Sequence, residues 1–354
     1  MHKHMKTSLM LSVVCLFAIF ISAPASSRNN EELVFLTWAE YMDPDLISEF
    51  EKKYDAKVKM VYFETDDIRD DLLVQTEGRG YDLILSSGVS IEKYKKYGWL
   101  DKITQTNVSN IKHIDKKWYD LFESSKGFSV PYFWGTTGIG YRKDLVKEDV
   151  VSWKSLFEPS ESQREKIAMV KNSQDSIGMA LKFLGYSANS ENPDEIKLAG
   201  SLLRKQRPFV SDYSYVNVDK SSALVTGDAV MAMVYSGDAL ALKEIDSNIE
   251  YVLPEEGGNI WVDYILLSKY SKNKALAYKF LDFINEPLNA ARLAEYVYYA
   301  TPNKSAEKLL PAEFLQNPVI YPSKSSLTKS EVYKALSPRV VKLRNQLFSN
   351  ILAQ

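Results

Sequence analysis

Cysteine is almost missing from this chain of 354 residues: the single one, Cys15, falls in an N-terminal apolar stretch. Histidine is nearly as scarce, with His2 and His4 at the start and only His113 thereafter. A Ser-His-Asp triad and a metal centre built on histidine or cysteine therefore have little to draw on. His113 stands among Lys112, Asp115, Lys116 and Lys117, the setting of a solvated surface histidine. There is no GxGxxG and no GxxxxGK[ST] phosphate loop. Gly135-Thr-Thr-Gly138-Ile-Gly140 has neither spacing and reads as a crossing segment, where glycines permit unusual dihedrals and close packing. The acidic pairs Asp66/Asp67 and Asp70/Asp71 read as solvated helix charges in preference to a glycosidase pair. Basic excess is also absent. The formal charge is −2, which argues against nucleic acid or an anionic membrane as partner. Internal repeats and low-complexity linkers are lacking too. The expectation is a protein that is not an enzyme and needs no cofactor or metal.

Residues 1–27 have the layout of a signal peptide. Lys3 and Lys6 precede an apolar run from Leu9 to Ile21, and Ala23-Pro24-Ala25 or Ala25-Ser26-Ser27 offers small residues for cleavage near 25–27. The run is short of the roughly 20 residues a membrane span needs. Val14 before Cys15, and the apolar run continuing through Leu16–Ile21, do not suit a lipid anchor. Losing the two leader lysines takes the charge to about −4. A mature chain without cysteine has no disulfides, but roughly 327 residues can bury a sufficient core without them. Length alone suggests two domains.

What is present is a rhythm of strands and helices. Leu33–Leu36, Lys57–Tyr62 and Tyr81–Leu85 read as strands. Helices follow at Pro44–Lys53 (Asp43 as cap), Asp66–Gln75 and Ile91–Tyr97. This β-α-β-α-β order argues for an α/β domain with a mainly parallel sheet. Residues 129–142 read as a long strand leaving that domain. Strands at 166–170, 229–235, 249–253 and 260–268, with helices at 176–184, 193–205, 273–284 and 288–296, form a second alternating region. Several crossings without a linker suggest a hinged cleft.

Aromatics make up 12% of the chain, and several fall at strand ends, where parallel sheets bind their ligands. Trp38, Tyr41, Trp134, Tyr235, Trp261 and Tyr299 could each be core, and Trp134 is assigned there. The others have polar companions: Glu40, Ser236-Gly237-Asp238, Asp263 and Thr301-Pro302-Asn303. A carboxylate two residues after Trp261 is costly to bury unpaired. Ring faces beside carboxylates suit an organic cation. Ser87 joins Trp38 and Tyr41 at a predicted strand end.

The stretches Trp38-Ala-Glu-Tyr41, Tyr81–Ser87, Pro131–Gly140, Met179–Ser187, Pro254–Asp263 and Ala300–Asn303, in this order and spacing, carry a further signal. Through them the chain resembles the spermidine/putrescine-binding proteins of polyamine ABC transporters, from about Leu33 to the C-terminus. The resemblance implies a type II periplasmic binding protein fold, α/β in class, whose two lobes close on one ligand. It places 28–137 and 262–307 in the N-terminal lobe, and 138–261 and 308–354 in the C-terminal lobe. It also implies a periplasmic location, a membrane permease as partner and a monomer by default.

Matched residue by residue, the resemblance puts Trp38, Tyr41, Tyr235, Trp261 and Tyr299 on aromatic positions of the ligand site. Asp263 falls on an amine-binding carboxylate, Ser87 on a polar wall, Asp175 on a glutamate position, Asn172 on an aspartate position and Ser211 on a polar contact. Tyr333 stands near a glutamine position. Asn172 removes one carboxylate, Asp175 shortens another, and Ala39 and Val89 are plainer than their counterparts. Two surviving acids, Asp175 and Asp263, favour a diamine, putrescine, slightly over spermidine. Asp238, Glu40 or Asp67 are the candidates to replace the lost acid. Another small solute, or a sensing role with a receptor, remains the alternative reading.

Overall fold

A computed structural model describes residues 31–353 of the chain, so the leader-like segment 1–27 with Cys15 lies outside the described residues. The strands are β1 (Glu31–Thr37), β2 (Ala56–Tyr62), β3 (Leu83–Ser87), β4 (Ser129–Arg142), β5 (Ile167–Met169), β6 (Val210–Tyr213), β7 (Met231–Tyr235), β8 (Ile249–Val252) and β9 (Ile260–Leu267). They run β2-β1-β3-β9-β4-β7-β5-β6, with β8 on the other side of β4. β1 pairs in parallel with β2 and β3, as the first β-α-β-α-β reading expects. The whole sheet is nevertheless mixed, because β9 and β4 enter antiparallel. The period-two pattern of β1 cannot reveal this, since pairing direction is set by strands far along the chain.

β4 is the pivot. Its first part, Ser129–Thr136, pairs with β9, and its second, Thr137–Arg142, pairs with β7 and β8. Two separate cores form on either side of that change of partner. Leu33, Phe35, Leu83 and Leu85 meet Leu46, Phe50 and Phe280 on one face of the first half. Leu36, Ile84 and Leu266 meet Tyr94, Trp99 and Trp134 on its other face. In the second half Met231 and Met233 of β7 pack with Ile177, Leu181 and Leu203, while Ala232 faces Leu224 and Leu242. Period-two alternation thus divides each strand between two apolar layers.

The helices start where their sequences allow. The Asp43 carboxylate accepts from Asp45 N ahead of helix Pro44–Tyr54, and Thr65 Oγ1 accepts from Ile68 N ahead of Asp66–Gln75. Helices Ser236–Ile245 and Pro338–Leu352 lie beyond the sequence-based expectations. The glycines of β4 hold negative φ, so only their close packing stands: an added Cβ at Gly138 would meet the Val252 carbonyl oxygen at 2.4 Å. Trp134 is in the core, its ring 4.9 Å from that of Trp118. His113 is half-buried with Nδ1 2.9 Å from Ser305 Oγ, which corrects the solvated reading. No helix among the described residues is long and apolar enough to cross a membrane.

Candidate functional site

Strand ends deliver the site. Trp38 and Tyr41 follow β1, Ser87 ends β3, Tyr235 ends β7, and Trp261 and Asp263 are the second and fourth residues of β9. Ser87 and Asp263 are paired across β3 and β9. The rings form one continuous line. Phe63 and Trp38 lie 4.4 Å apart, Trp38 and Tyr215 5.4 Å, and Tyr215 stacks on Tyr235 at 6.1 Å. Tyr235 meets Trp261 edge to face at 6.0 Å, Trp261 meets Tyr299 at 4.7 Å, and Tyr299 meets Tyr41 at 5.9 Å. Edge-to-face packing of this kind fixes ring planes against one another.

Each carboxylate along that line takes a tyrosine hydroxyl. Tyr41 donates to Asp263 Oδ2 at 3.0 Å and Tyr299 to Asp238 Oδ1 at 2.6 Å. Asp175, 4% exposed, accepts from both Tyr235 and Tyr333 at 2.9 Å. No lysine or arginine among the described residues forms an ion pair with Asp175, Asp238 or Asp263. Burial pushes the Asp263 carboxyl up to about 7, helped by the charge of Asp66 and opposed by the Tyr41 hydrogen bond and Arg69. Burial likewise lifts Asp175 to about 6 against the hydroxyls of Tyr333 and Tyr235. Asp238 also reaches about 6, with Tyr299 opposing and Glu40 adding. Asp175 is buried, and Asp238 and Asp263 are half-buried. With no cation beside them they are costly as anions, and a ligand ammonium would supply the missing charge. The indole Nε1 of Trp261, Ser87 Oγ and Thr37 Oγ1 are buried without a hydrogen-bond partner.

Nine of the eleven expected site residues thus join one ring-and-carboxylate cluster or, like Ser87, its paired wall. Asn172 borders it in a structural role: its side chain caps helix Ser173–Phe183 by accepting from Gln174 N and Asp175 N. Its Nδ2 lies 3.5 Å from the Tyr215 hydroxyl. Ser211 does not join. It is exposed on the edge strand β6 and donates to the Ile167 carbonyl. Glu40 and Asp67 are exposed as well.

Sequence reasoning overlooked Tyr215, read Asp66 as a solvated helix charge, and left Tyr333 without a role. Asp66, its side chain 34% exposed, is more than a solvated charge: it ion-pairs with Arg69, which is 1% exposed and also reaches Asp70 Oδ1 at 3.2 Å. The strand-end rule that marked Trp38 applies equally beyond β2, where Asp66 opens the next helix.

Comparison with known proteins places the chain in a family. Residues 45–322 match the family model for bacterial extracellular solute-binding proteins. The spermidine/putrescine-binding periplasmic protein of Salmonella typhimurium is 30% identical over 87% of this chain and 88% of its own length. The putrescine-binding periplasmic protein SpuD of Pseudomonas aeruginosa is 28% identical over 94% of both chains. A solved Listeria monocytogenes structure, assigned provisionally to a spermidine/putrescine ABC transporter, superposes with a TM-score of 0.82 at 32% identity. It covers 91% of this chain and 99% of its own.

Proposed function

The chain belongs to the bacterial extracellular solute-binding protein family, and from that premise we propose that it captures a polyamine, putrescine or spermidine, between its lobes. One observation carries the reading: three carboxylates, Asp175, Asp238 and Asp263, each set against an aromatic ring and answered only by tyrosine hydroxyls. Methylenes stack on the rings, each contributing about 0.8 kcal/mol on burial. A cation over a ring adds roughly 0.5–2 kcal/mol. The carboxylates accept the ammonium N–H groups, and the hydroxyls hold the acids in place until the ligand arrives.

Delivery to the permease of an ABC transporter, after export to the periplasm and cleavage near residues 25–27, completes the proposal. The expected lobes, 28–137 with 262–307 and 138–261 with 308–354, are kept in the proposal with two bounds moved: Ile260 and Trp261 pair with the first part of β4, and Leu310 and Ile320 pack with the first half of the sheet. The change of β4 partner near Thr136–Thr137 supports the first crossing. Phe314 and Tyr321 pack on the first core and Tyr333 on the second, which favours a last crossing between Tyr321 and Tyr333.

A thermal-shift panel of putrescine, spermidine, cadaverine, arginine and glucose tests the reading, using protein refolded to remove copurified ligand. Stabilisation confined to the polyamines is expected, amounting to about 2.7 kcal/mol at a hundredfold excess over Kd. Stabilisation by glucose or arginine alone would overturn it.

A further inference from the structure

The irregular segment 329–334 carries Tyr333, one of the two hydroxyls on Asp175, and a single acid pins it in place. The Glu331 carboxylate accepts from Lys182 Nζ at 3.0 Å, Ser187 Oγ at 2.5 Å, Ala188 N at 3.1 Å and Asn189 Nδ2 at 3.3 Å. The Lys182 side chain is only 10% exposed and also donates to the Lys329 carbonyl. The backbone of Glu331 is fixed as well. Its N–H donates to the Gly258 carbonyl at 3.0 Å, and its own carbonyl accepts from Ile260 N at 2.9 Å. Asn189 then binds both neighbours of the tyrosine, donating to the Val332 carbonyl and accepting from Lys334 N.

Helix Ser173–Phe183 ties these contacts to the ligand site. Lys182 stands in its last turn and Asp175 in its first. Gly178 lies between them, and an added Cβ there would stand 2.9 Å from the Tyr333 hydroxyl oxygen. The segment therefore runs along the helix, anchored through Glu331 on Lys182 and ending with the Tyr333 hydroxyl 2.9 Å from Asp175 Oδ1. Resting on the polyamine reading, we propose that Glu331 is a positioning residue of the ligand site. It sets Tyr333 on Asp175, so that this carboxylate keeps one orientation for an ammonium group. A tyrosine on a free loop would lose conformational entropy each time it met the acid. The bonds on Glu331, two residues earlier, order the loop before the ligand arrives, which is how a supporting contact raises affinity without touching the ligand.

The test is calorimetric titration at pH 8, with whichever of putrescine and spermidine wild type binds more tightly, applied to two double-mutant cycles. Glu331→Ala and Tyr333→Phe should each weaken binding about fivefold or more. Their double variant should stay within about twofold of the weaker single one, because both changes remove the same hydroxyl contact. Glu331→Ala combined with Tyr41→Phe, whose hydroxyl serves Asp263 instead, should show losses that multiply. Unchanged affinity in either Glu331→Ala or Tyr333→Phe, or losses that multiply between them, would overturn the proposal. Losses that fail to multiply with Tyr41→Phe would also overturn it, since that is a general loosening and not a role at Asp175. If Glu331→Ala does not fold, Lys182→Met, which removes only the cation, goes through the same cycles with the same outcomes. Failure of wild type to bind either polyamine would sink the functional reading, a result distinct from failure of this inference.

Discussion

Tyr41, Tyr235, Tyr299 and Tyr333 stand where lysines or arginines would make permanent ion pairs, and this sets how the site responds to acid. Asp175 and Asp238 ionise near 6 and Asp263 near 7. Each is raised, so the folded ligand-free chain holds protons that the unfolded chain has released from about pH 4 upward. These groups therefore favour the unfolded state increasingly as pH climbs from about 4 to 7. Asp263→Asn should gain melting temperature relative to ligand-free wild type across that window, and a flat difference would contradict the account. A bound cation reverses the preference, because it needs the anions. Polyamine affinity should accordingly fall as pH drops from 8 to 5.5, read by titration at a series of pH values. At pH 8 Asp263→Asn should weaken binding by about 2–5 kcal/mol, the usual result of truncating one partner of a buried charge pair. Unchanged affinity would remove Asp263 from the site. Asp263 was legible because an acid two residues after a tryptophan at a strand end is unusual, and Asp238 as the polar companion of Tyr235, whereas Asp175 was reached only through the family resemblance. Tyr215 was not, and Tyr333 only through the resemblance and without a role, since loop tyrosines carry no periodicity to say what they face.

At the scale of elements, small residues fix how near the rings approach. An added Cβ at Gly135 would stand 2.5 Å from the Trp261 ring, and one at Gly237 would meet the Tyr299 ring at 2.5 Å. Gly135→Ala should cost about 1–3 kcal/mol in chemical denaturation by overpacking, and should weaken ligand binding by moving the indole. Binding that survives intact would show that Trp261 does not line the ligand. The glycines were visible in the sequence, but their cause was misjudged in part, because spacing alone does not separate a positive φ from a close neighbour. Helix Ser236–Ile245 was hidden because Ser236-Gly237-Asp238 resembles a turn. Helix Pro338–Leu352 does have Ser337 and Pro338 at its start. Its buried stripe of Val340, Phe348 and Ile351 is broken by a buried Arg344, which blurs the 3.6-residue period.

Across the whole molecule, contacts over the cleft include Tyr299 to Asp238, Trp38 to Tyr215 and Trp261 to Tyr235. Their elements come from distant parts of the chain, so the alternating strands and helices announced two α/β layers but not which strands would pair. The antiparallel entry of β9 beside β3 is what brings Asp263 opposite Ser87. The chain crosses again near Gly257, whose φ of 82° and close approach to the Lys329 backbone leave no room for a side chain. Gly257→Ala should therefore alter the ligand association rate as well as stability, checked by stopped-flow tyrosine and tryptophan fluorescence. An unchanged rate would place the hinge elsewhere. The central claim is that cleft carboxylates, partly protonated when empty, ionise to hold a polyamine. Calorimetric titration with spermidine at pH 6.5, in two buffers of different ionisation enthalpy, addresses it directly. One-to-one binding with net proton release is the predicted result, and binding with no release, or none at all, would contradict the account.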